Sequence, residues 1–274
     1  MYKYSICACV RITNPFLFVE WLSYQFLIGF EHIYLYDNKS NYLINDLCRR
    51  YKNKVTIYHT DEEHIQLPSY NHFLQHHRTE TEYISFLDDD EFIIFNDFET
   101  IDNVMKYMEY PDYIVLNWKM MGCQQRVRSI SEYLIESNTK SEKEFHNHVK
   151  GIVKTENISH IDNPHCIGVY TNKTIFKDGS NDILLYRGYI PGTHTLHKKP
   201  LIWINHYYKI SRNDFLLKCE RGQVNNVPKR NFNEEFTYDK DENLIETNDM
   251  KRMVEKIKEI AKTPIDLIQY SMTN

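Results

Sequence analysis

Apolar runs and helically spaced stretches alternate along the first third of the chain. Tyr4–Val10 is a mostly apolar run of strand length. Asn14-Pro15 follows, a polar cap with proline in the first turn. Phe16–Ile28 then repeats apolar residues at helical spacing up to Gly29. His32–Tyr36 and Val55–Tyr58 read as strands, and Leu43–Tyr51 and Tyr70–Thr79 as helices. Tyr83–Leu87 reads as a fourth strand, running directly into Asp88-Asp89-Asp90-Glu91. The second half is less regular. Tyr113–Trp118 reads as a strand, Ser129–Glu144 as a polar mixture of helix and loop. Short strands are expected near Lys150–Val153, Cys166–Tyr170 and Leu201–Asn205. Ser211 with Asp214 three residues on reads as a capping box for a helix ending at Gly222. A charged segment, Asn231–Asn248, leads to a last helix over Asp249–Lys262.

Strand and helix at this spacing predict an α/β fold with a mostly parallel, doubly wound sheet and right-handed crossovers. Ligands of such sheets bind beyond the carboxyl ends of the strands. Arg11–Asn14, Asp37–Ser40 and Asp88–Glu91 therefore share one rim, and three polar clusters converging there mean more than any one alone. No internal repeat and no linker divides the chain.

Composition changes this picture little. The 274 residues are 42% hydrophobic and 26% charged, and 14% are aromatic, which suits a folded globular chain and excludes disorder as the main state. A net charge of −5 disfavours a general nucleic-acid binder. Six cysteines form no CxxC pair, so buried free thiols are expected at Cys7 and Cys9. No signal-peptide pattern opens the sequence and no apolar stretch is long enough to span a bilayer. Both point to the cytoplasm, with peripheral membrane association left open. GxSxG, P-loop and GxGxxG motifs are missing, so serine hydrolase, P-loop NTPase and dinucleotide-binding readings lack support.

Four consecutive acids repel one another, and a divalent cation relieves that repulsion. In an extended run Asp88 and Asp90 point one way and Asp89 the other, so one carboxylate pair faces the rim. A solvated acidic turn is the alternative. Asp37-Asn38-Lys39-Ser40 has the chemistry of an Asx turn, with base or ribose recognition as the functional alternative. His206 ends a strand-like run. Lys218 and Arg221, three apart, share a helix face that is either solvated or a phosphate clamp, which Lys209 and Ser211 at the helix start would assist.

Four blocks in order resemble the metal-dependent GT-A glycosyltransferases, and within them glycosyltransferase family 92. Arg11-Ile12-Thr13-Asn14 with Glu20-Trp21 is similar to the family's opening. Gly29-Phe30-Glu31-His32 through Asp37-Asn38-Lys39-Ser40 is similar to its second strand and loop. Phe86–Phe92 resembles its Asp-x-Asp-Glu-Phe metal motif. Asn205-His206-Tyr207 with Lys209, Ser211, Phe215, Lys218, Arg221 and Gly222 resembles its later His-Tyr block. Arg11, Pro15 and Gln25 depart from the family's usual residues.

The resemblance implies a single GT-A domain. It would have a nucleotide-binding half over 1–120, an acceptor and metal-histidine half over 121–230, and a helical extension over 231–274. It also implies a nucleotide-sugar donor, a UDP-sugar, held through Mn2+ or Mg2+. Asp90, Asp88 and His206 would be the metal ligands. Donor contacts would come from Arg11, Asn14, Asp37, Asn38, Asp88, Asp89, Lys150, Lys209, Lys218 and Arg221. Inverting transfer to a carbohydrate hydroxyl needs a base. Asp162 and His165 are the candidates, with Glu132, Glu136 and Glu144 behind them and an Asp-Asn-Pro turn as the structural reading of Asp162. The acceptor loop would lie in Met120–Lys143, with Trp118 and Tyr133 as stacking candidates. Competing readings are a metal-dependent nucleotidyltransferase or phosphohydrolase, and an inactive glycosyltransferase-like binding protein.

Overall fold

The computed structural model describes residues 1–122, 132–170, 174–185, 192–221, 231–233 and 244–273. The parallel core contains β1 (Tyr2–Val10), β2 (His32–Asn38), β3 (Val55–Thr60) and β4 (Thr81–Phe86) in the order β3-β2-β1-β4. Helices α1 (Pro15–Leu27), α2 (Ile44–Leu47) and α3 (Gln66–His76) make the crossovers. The chain leaves β1 toward β2 and β3 and returns to β4 on β1's other side. The switch point of the sheet therefore lies between β1 and β4.

Alternation explains the two cores. Ile6, Ala8 and Val10 of β1, with Ile33 and Leu35 of β2, pack on the α1 face. Cys7, Cys9, Tyr34 and Tyr36 pack on the α3 face. Asn14 caps α1, its Oδ1 accepting from the amides of Phe16 and Leu17 at 3.1 and 3.3 Å. Gly29, at φ +108°, takes the left-handed conformation that stops the helix.

Beyond β4 come β5 (Glu91–Phe95), α4 (Ile101–Tyr107) and β6 (Tyr113–Met120). They are followed by α5 (Leu134–Ser137), β7 (Lys140–Glu142) and β8 (His146–Lys154). Strand β8 runs antiparallel between β4 and β6. A hairpin follows, β9 (Ile158–Asn163) and β10 (Cys166–Val169), then β11 (Phe176–Asp178) and β12 (Ile183–Leu184) at the sheet's far edge. Strand β13 (Ile202–His206) pairs parallel with β6 and antiparallel with β5. Helix α6 (Arg212–Arg221), β14 (Leu244–Glu246), α7 (Lys251–Ile260) and α8 (Pro264–Met272) complete the chain.

The α/β class with a mostly parallel sheet and an irregular second half is thus observed. Three expectations shift. The Leu43–Tyr51 helix is broken into α2 and a 3₁₀ turn at Arg49–Tyr51. The third helix starts at Gln66 rather than Tyr70. The C-terminal region holds two helices, because Thr263 and Pro264 restart the chain with a capping box to Asp266. Ser211 and Asp214 do cap α6, with the Asp214 amide 3.2 Å from Ser211 Oγ. Gly222 and most of Asn231–Asn248 lie outside the described residues, as does Cys123. The other five cysteines are free thiols. Among the described residues no helix is long and apolar enough to cross a membrane.

Candidate active site

The acids do not continue β4 as an extended run. The chain must reverse, because β5 is antiparallel to β13 and β13 lies parallel to β6. It does so in a turn closed by the Glu91 amide donating to the Asp88 carbonyl at 3.1 Å. The expected same-side pairing of Asp88 and Asp90 gives way to a division of labour. Asp88 accepts from Gln66 Nε2 at 3.0 Å and from Lys150 Nζ at 3.4 Å. Asp90 is ion-paired with Lys218, and its Oδ1 lies 3.4 Å from His206 Nε2. Helix α1 fixes the turn from beneath: Trp21 Nε1 and Gln25 Nε2 both donate to the Glu91 carbonyl, at 2.9 and 3.1 Å.

Charge follows this wiring. Burial alone would raise the Asp90 carboxyl, but Lys218 and then His206 outweigh it and hold it well below the usual carboxylate range. Burial pushes Glu91 up against the opposing charge of Lys150. Burial also works against the Lys150 ammonium, yet Asp88 and Glu91 keep it charged. His206 is pushed down by burial despite Asp90, so it is neutral near pH 7. Its Nδ1 is buried without a hydrogen-bond partner.

A cleft opens beside the turn, lined by Thr13, Asn14, Asp89, Asp90, Asp214 and Lys218. Its wall turns at Ile210, whose φ of +58° is strained for a β-branched residue and whose carbonyl accepts from Asn138 Nδ2 at 2.7 Å. That bend brings the start of α6, and with it Lys218, toward Asp90. Lys218 also donates to the Tyr208 carbonyl at 3.2 Å.

The remaining expected residues divide. Asp37 Oδ1 accepts from the Ser40 amide at 3.2 Å, three residues on rather than the two of an Asx turn, while its other oxygen lies 3.0 Å from His59 Nδ1. Asn38 spends its amide on the carbonyls of Thr60 and Glu62. Asn14 Nδ2 donates to Asp214 at 3.0 Å, so it ties α1 to α6 as well as capping. Arg11 follows β1 on the same rim, Lys209 precedes α6, and the Arg221 side chain lies outside the described residues.

The two base candidates separate. Asp162 leaves 82% of its side chain exposed and pairs with His160 at 3.4 Å. His165 instead faces Trp118 and His148. Its Nδ1 sits 3.0 Å from the Val149 carbonyl, which can only accept, so Nδ1 carries the proton and Nε2 keeps its lone pair. Burial and then Lys150 push His165 down to about 4. Glu136 is paired with Lys258 at 2.5 Å, Glu132 and Glu144 lie at the surface, and Tyr133 is buried with its hydroxyl on the Ala261 carbonyl. Most of the expected acceptor loop, residues 123–131, lies outside the described residues.

Gln66, His146 and His148 carry part of this site without having been expected to. His146 and His148 had a signal, a His-x-His step that puts both on one face of β8. Gln66 had none, since its contact is with a residue 22 positions away.

An acidic turn wired to Lys150 and Lys218 lies at the switch-point rim of the parallel sheet, where α/β folds of this class bind their ligands. The chain belongs to glycosyltransferase family 92, whose model matches residues 2–261. A glycosyltransferase family 92 protein of Oryza sativa subsp. japonica is 29% identical over 109 residues, covering 38% of this chain and 18% of the rice protein. The match therefore spans less than a fifth of that relative. Among solved structures, S. aureus TarS is similar at TM-score 0.36 and 19% identity, over 56% of this chain and 28% of that one. The 4-diphosphocytidyl-2C-methyl-D-erythritol synthase of Anaerococcus prevotii is similar at TM-score 0.33 and 9% identity, over 56% and 70%.

Proposed function

We propose that this protein is a glycosyltransferase that moves a sugar from a nucleotide-sugar donor, a UDP-sugar, to a carbohydrate hydroxyl, with inversion and with Mn2+ or Mg2+ at the acid turn. The observation that carries the reading is the convergence of Asp90, His206 and Lys218 beside Asp88 and Lys150 at the switch-point rim. Among the described residues no three His, Cys, Asp or Glu side chains stand ready around one ion. The donor chemistry nevertheless fits. Such an ion is held by one or two carboxylates and completes its shell with water and substrate phosphate. Asp90 Oδ1 and His206 Nε2, 3.4 Å apart, are near the roughly 3 Å between neighbouring ligands on an octahedral ion with bonds of about 2.1 Å. Asp90, His206 and Asp88 would hold the ion, which would supply positive charge to the leaving diphosphate.

The chain's own groups do the rest. Lys218, already at the rim, offers its ammonium to the negative charge that develops as the glycosyl–phosphate bond breaks. Lys150 stays buried and charged behind Asp88. Asp37 and Arg11, on the β1–β2 side, face the nucleoside. His165 takes the acceptor hydroxyl's proton at Nε2, its Val149 bond holding the ring in the tautomer that can do so.

Calorimetric titration of UDP is expected to show binding with Mn2+ that EDTA abolishes. Equal heats in both conditions would remove the metal from the reading, and no heat in either would remove the UDP donor. His165→Ala is expected to lower kcat by about 10²–10⁴-fold, the usual worth of a general base. The sign of the pH dependence follows from the lowered pKa. A base that stays unprotonated down to about 4 keeps kcat/KM flat from pH 8 to pH 6, with the acid limb below the ordinary imidazole range. An acid limb centred near 6.5 would take His165 out of that role.

A further inference from the structure

Past the acid turn, the rim carries a shelf of rings that the steps above do not use. Trp118, near the end of β6, stands beside His146 and His148 at the start of β8. The three rings are close to parallel. Trp118 and His148 lie 5.5 Å apart at 16°, His146 and His148 4.8 Å apart at 17°, and Trp118 and His146 6.2 Å apart at 28°. His165 stands against them almost upright, 5.0 Å from Trp118 at 81° and 5.5 Å from His148 at 73°. His206 leans on Trp118 from the acid-turn side, 4.2 Å away at 50°. The arrangement is a floor with two walls, one the proposed base and the other a proposed metal ligand.

His146 and His148 approach through their Nδ1 atoms at 3.1 Å, and burial pushes both imidazoles below their ordinary range, so the floor carries no charge near pH 7. His148 is exposed and Trp118 half-buried, whereas Trp21 and Trp203 are buried. A flat, neutral, partly open set of rings suits a ligand with a flat C–H face and polar edges, because rings gain contact area there while imidazole nitrogens meet the edge groups. A pyranose has that shape. The sheet order puts the shelf on the β8–β6 side of the acids, opposite Asp37 on β2 and Arg11 just after β1.

We infer that Trp118, His146 and His148 are the acceptor subsite, and that they seat one pyranose ring of a carbohydrate with a hydroxyl turned to His165. The word acceptor rests on the transferase reading; the pyranose site does not. The test is saturation-transfer NMR on the full chain. The probes are the methyl pyranosides of glucose, galactose, mannose and N-acetylglucosamine, with sorbitol as an open-chain control and UDP as a competitor. The ring C–H protons of at least one pyranoside should receive saturation, sorbitol should not, and UDP should not displace the sugar. His148→Ala and Trp118→Leu should each weaken that pyranoside roughly tenfold, the scale of one lost ring contact. Trp118 is the partly open indole, so binding should also shift tryptophan emission in the wild type and not in Trp118→Leu. Silence from every pyranoside, or unchanged affinity in His148→Ala, would overturn the subsite. Displacement by UDP would hand the shelf to the nucleobase and overturn it equally. Pyranoside binding without any UDP binding would leave the shelf standing and bring down the donor reading instead.

Discussion

Asp90→Asn is expected to lower metal-dependent UDP affinity by at least about 100-fold, with transfer lost, while the chain stays folded. The carboxylate is almost fully buried, and Lys218 and His206 both face it. An amide keeps the shape but carries no negative charge, so neither a divalent ion nor the Lys218 ammonium retains its partner. Asp90→Ala should show the same loss of binding, with a larger loss of stability. Removing one member of a buried pair leaves the other uncompensated, at about 3–5 kcal/mol when water cannot reach it. Lys218 is partly reachable, its side chain 17% exposed, so the cost should fall below that range. The backbone of the turn does not depend on this carboxylate: the Tyr207 amide donates to the Asp90 carbonyl at 2.9 Å, a bond that the substitution does not remove. Calorimetry with Mn2+ and a circular-dichroism melt decide the matter together. Unchanged Mn2+-dependent UDP affinity in a folded Asp90→Asn would take Asp90 out of the metal site.

The first half of the fold was legible because its contrasts are local. Strands β1, β2 and β4 are largely buried, β3 is the half-buried edge, and each is punctuated by a cap, a glycine or a polar loop that acts on its immediate neighbours. Asn14 shows how far that goes. Its cap could be read from Asn-Pro alone, but its second bond, to Asp214, joins residues 200 positions apart and has no sequence signature. The acid cluster was legible as an acid cluster at the rim. Its geometry was not, since the reversal after Leu87 is imposed by β5 pairing with β13, more than a hundred residues later. The same limit hid the ring shelf. His146 and His148 alternate visibly, yet only the pairing of β6 with β8 sets them beside Trp118. Strand β5 and helix α4 went unassigned because Phe92–Phe95 is too short an apolar run to tell from a loop before its partner is known.

Glu20 carries the largest expected effect on stability. It lies in the middle of α1 and is fully buried. Both its oxygens are used: Oε2 accepts from the Leu134 amide at 2.8 Å and Oε1 from the Ile135 amide at 2.9 Å. Those are the first amides of α5, which the helix itself cannot satisfy. One side chain of the first half thus caps a helix of the second half, and its neighbour Trp21 holds the acid turn through the Glu91 carbonyl. The Glu-Trp pair therefore couples the start of α5 to the acid turn. Glu20→Ala would leave two buried amides without acceptors, each costing about 1–3 kcal/mol. The expected total is about 3 kcal/mol or more, a fall in Tm of roughly 6–12 °C for a chain of this size. Glu20→Gln keeps one acceptor oxygen but turns an NH2 group toward the second amide, so it should lose a large part of the same stability. Because α1 also carries Trp21 and Gln25, a thermal melt of each variant should be paired with UDP calorimetry below the melt. The expected result is a lowered Tm with metal-dependent UDP binding retained in the folded fraction. A Tm within 1–2 °C of wild type in Glu20→Ala would mean that water satisfies those amides, and that the Glu-Trp pair does not bind the two halves together.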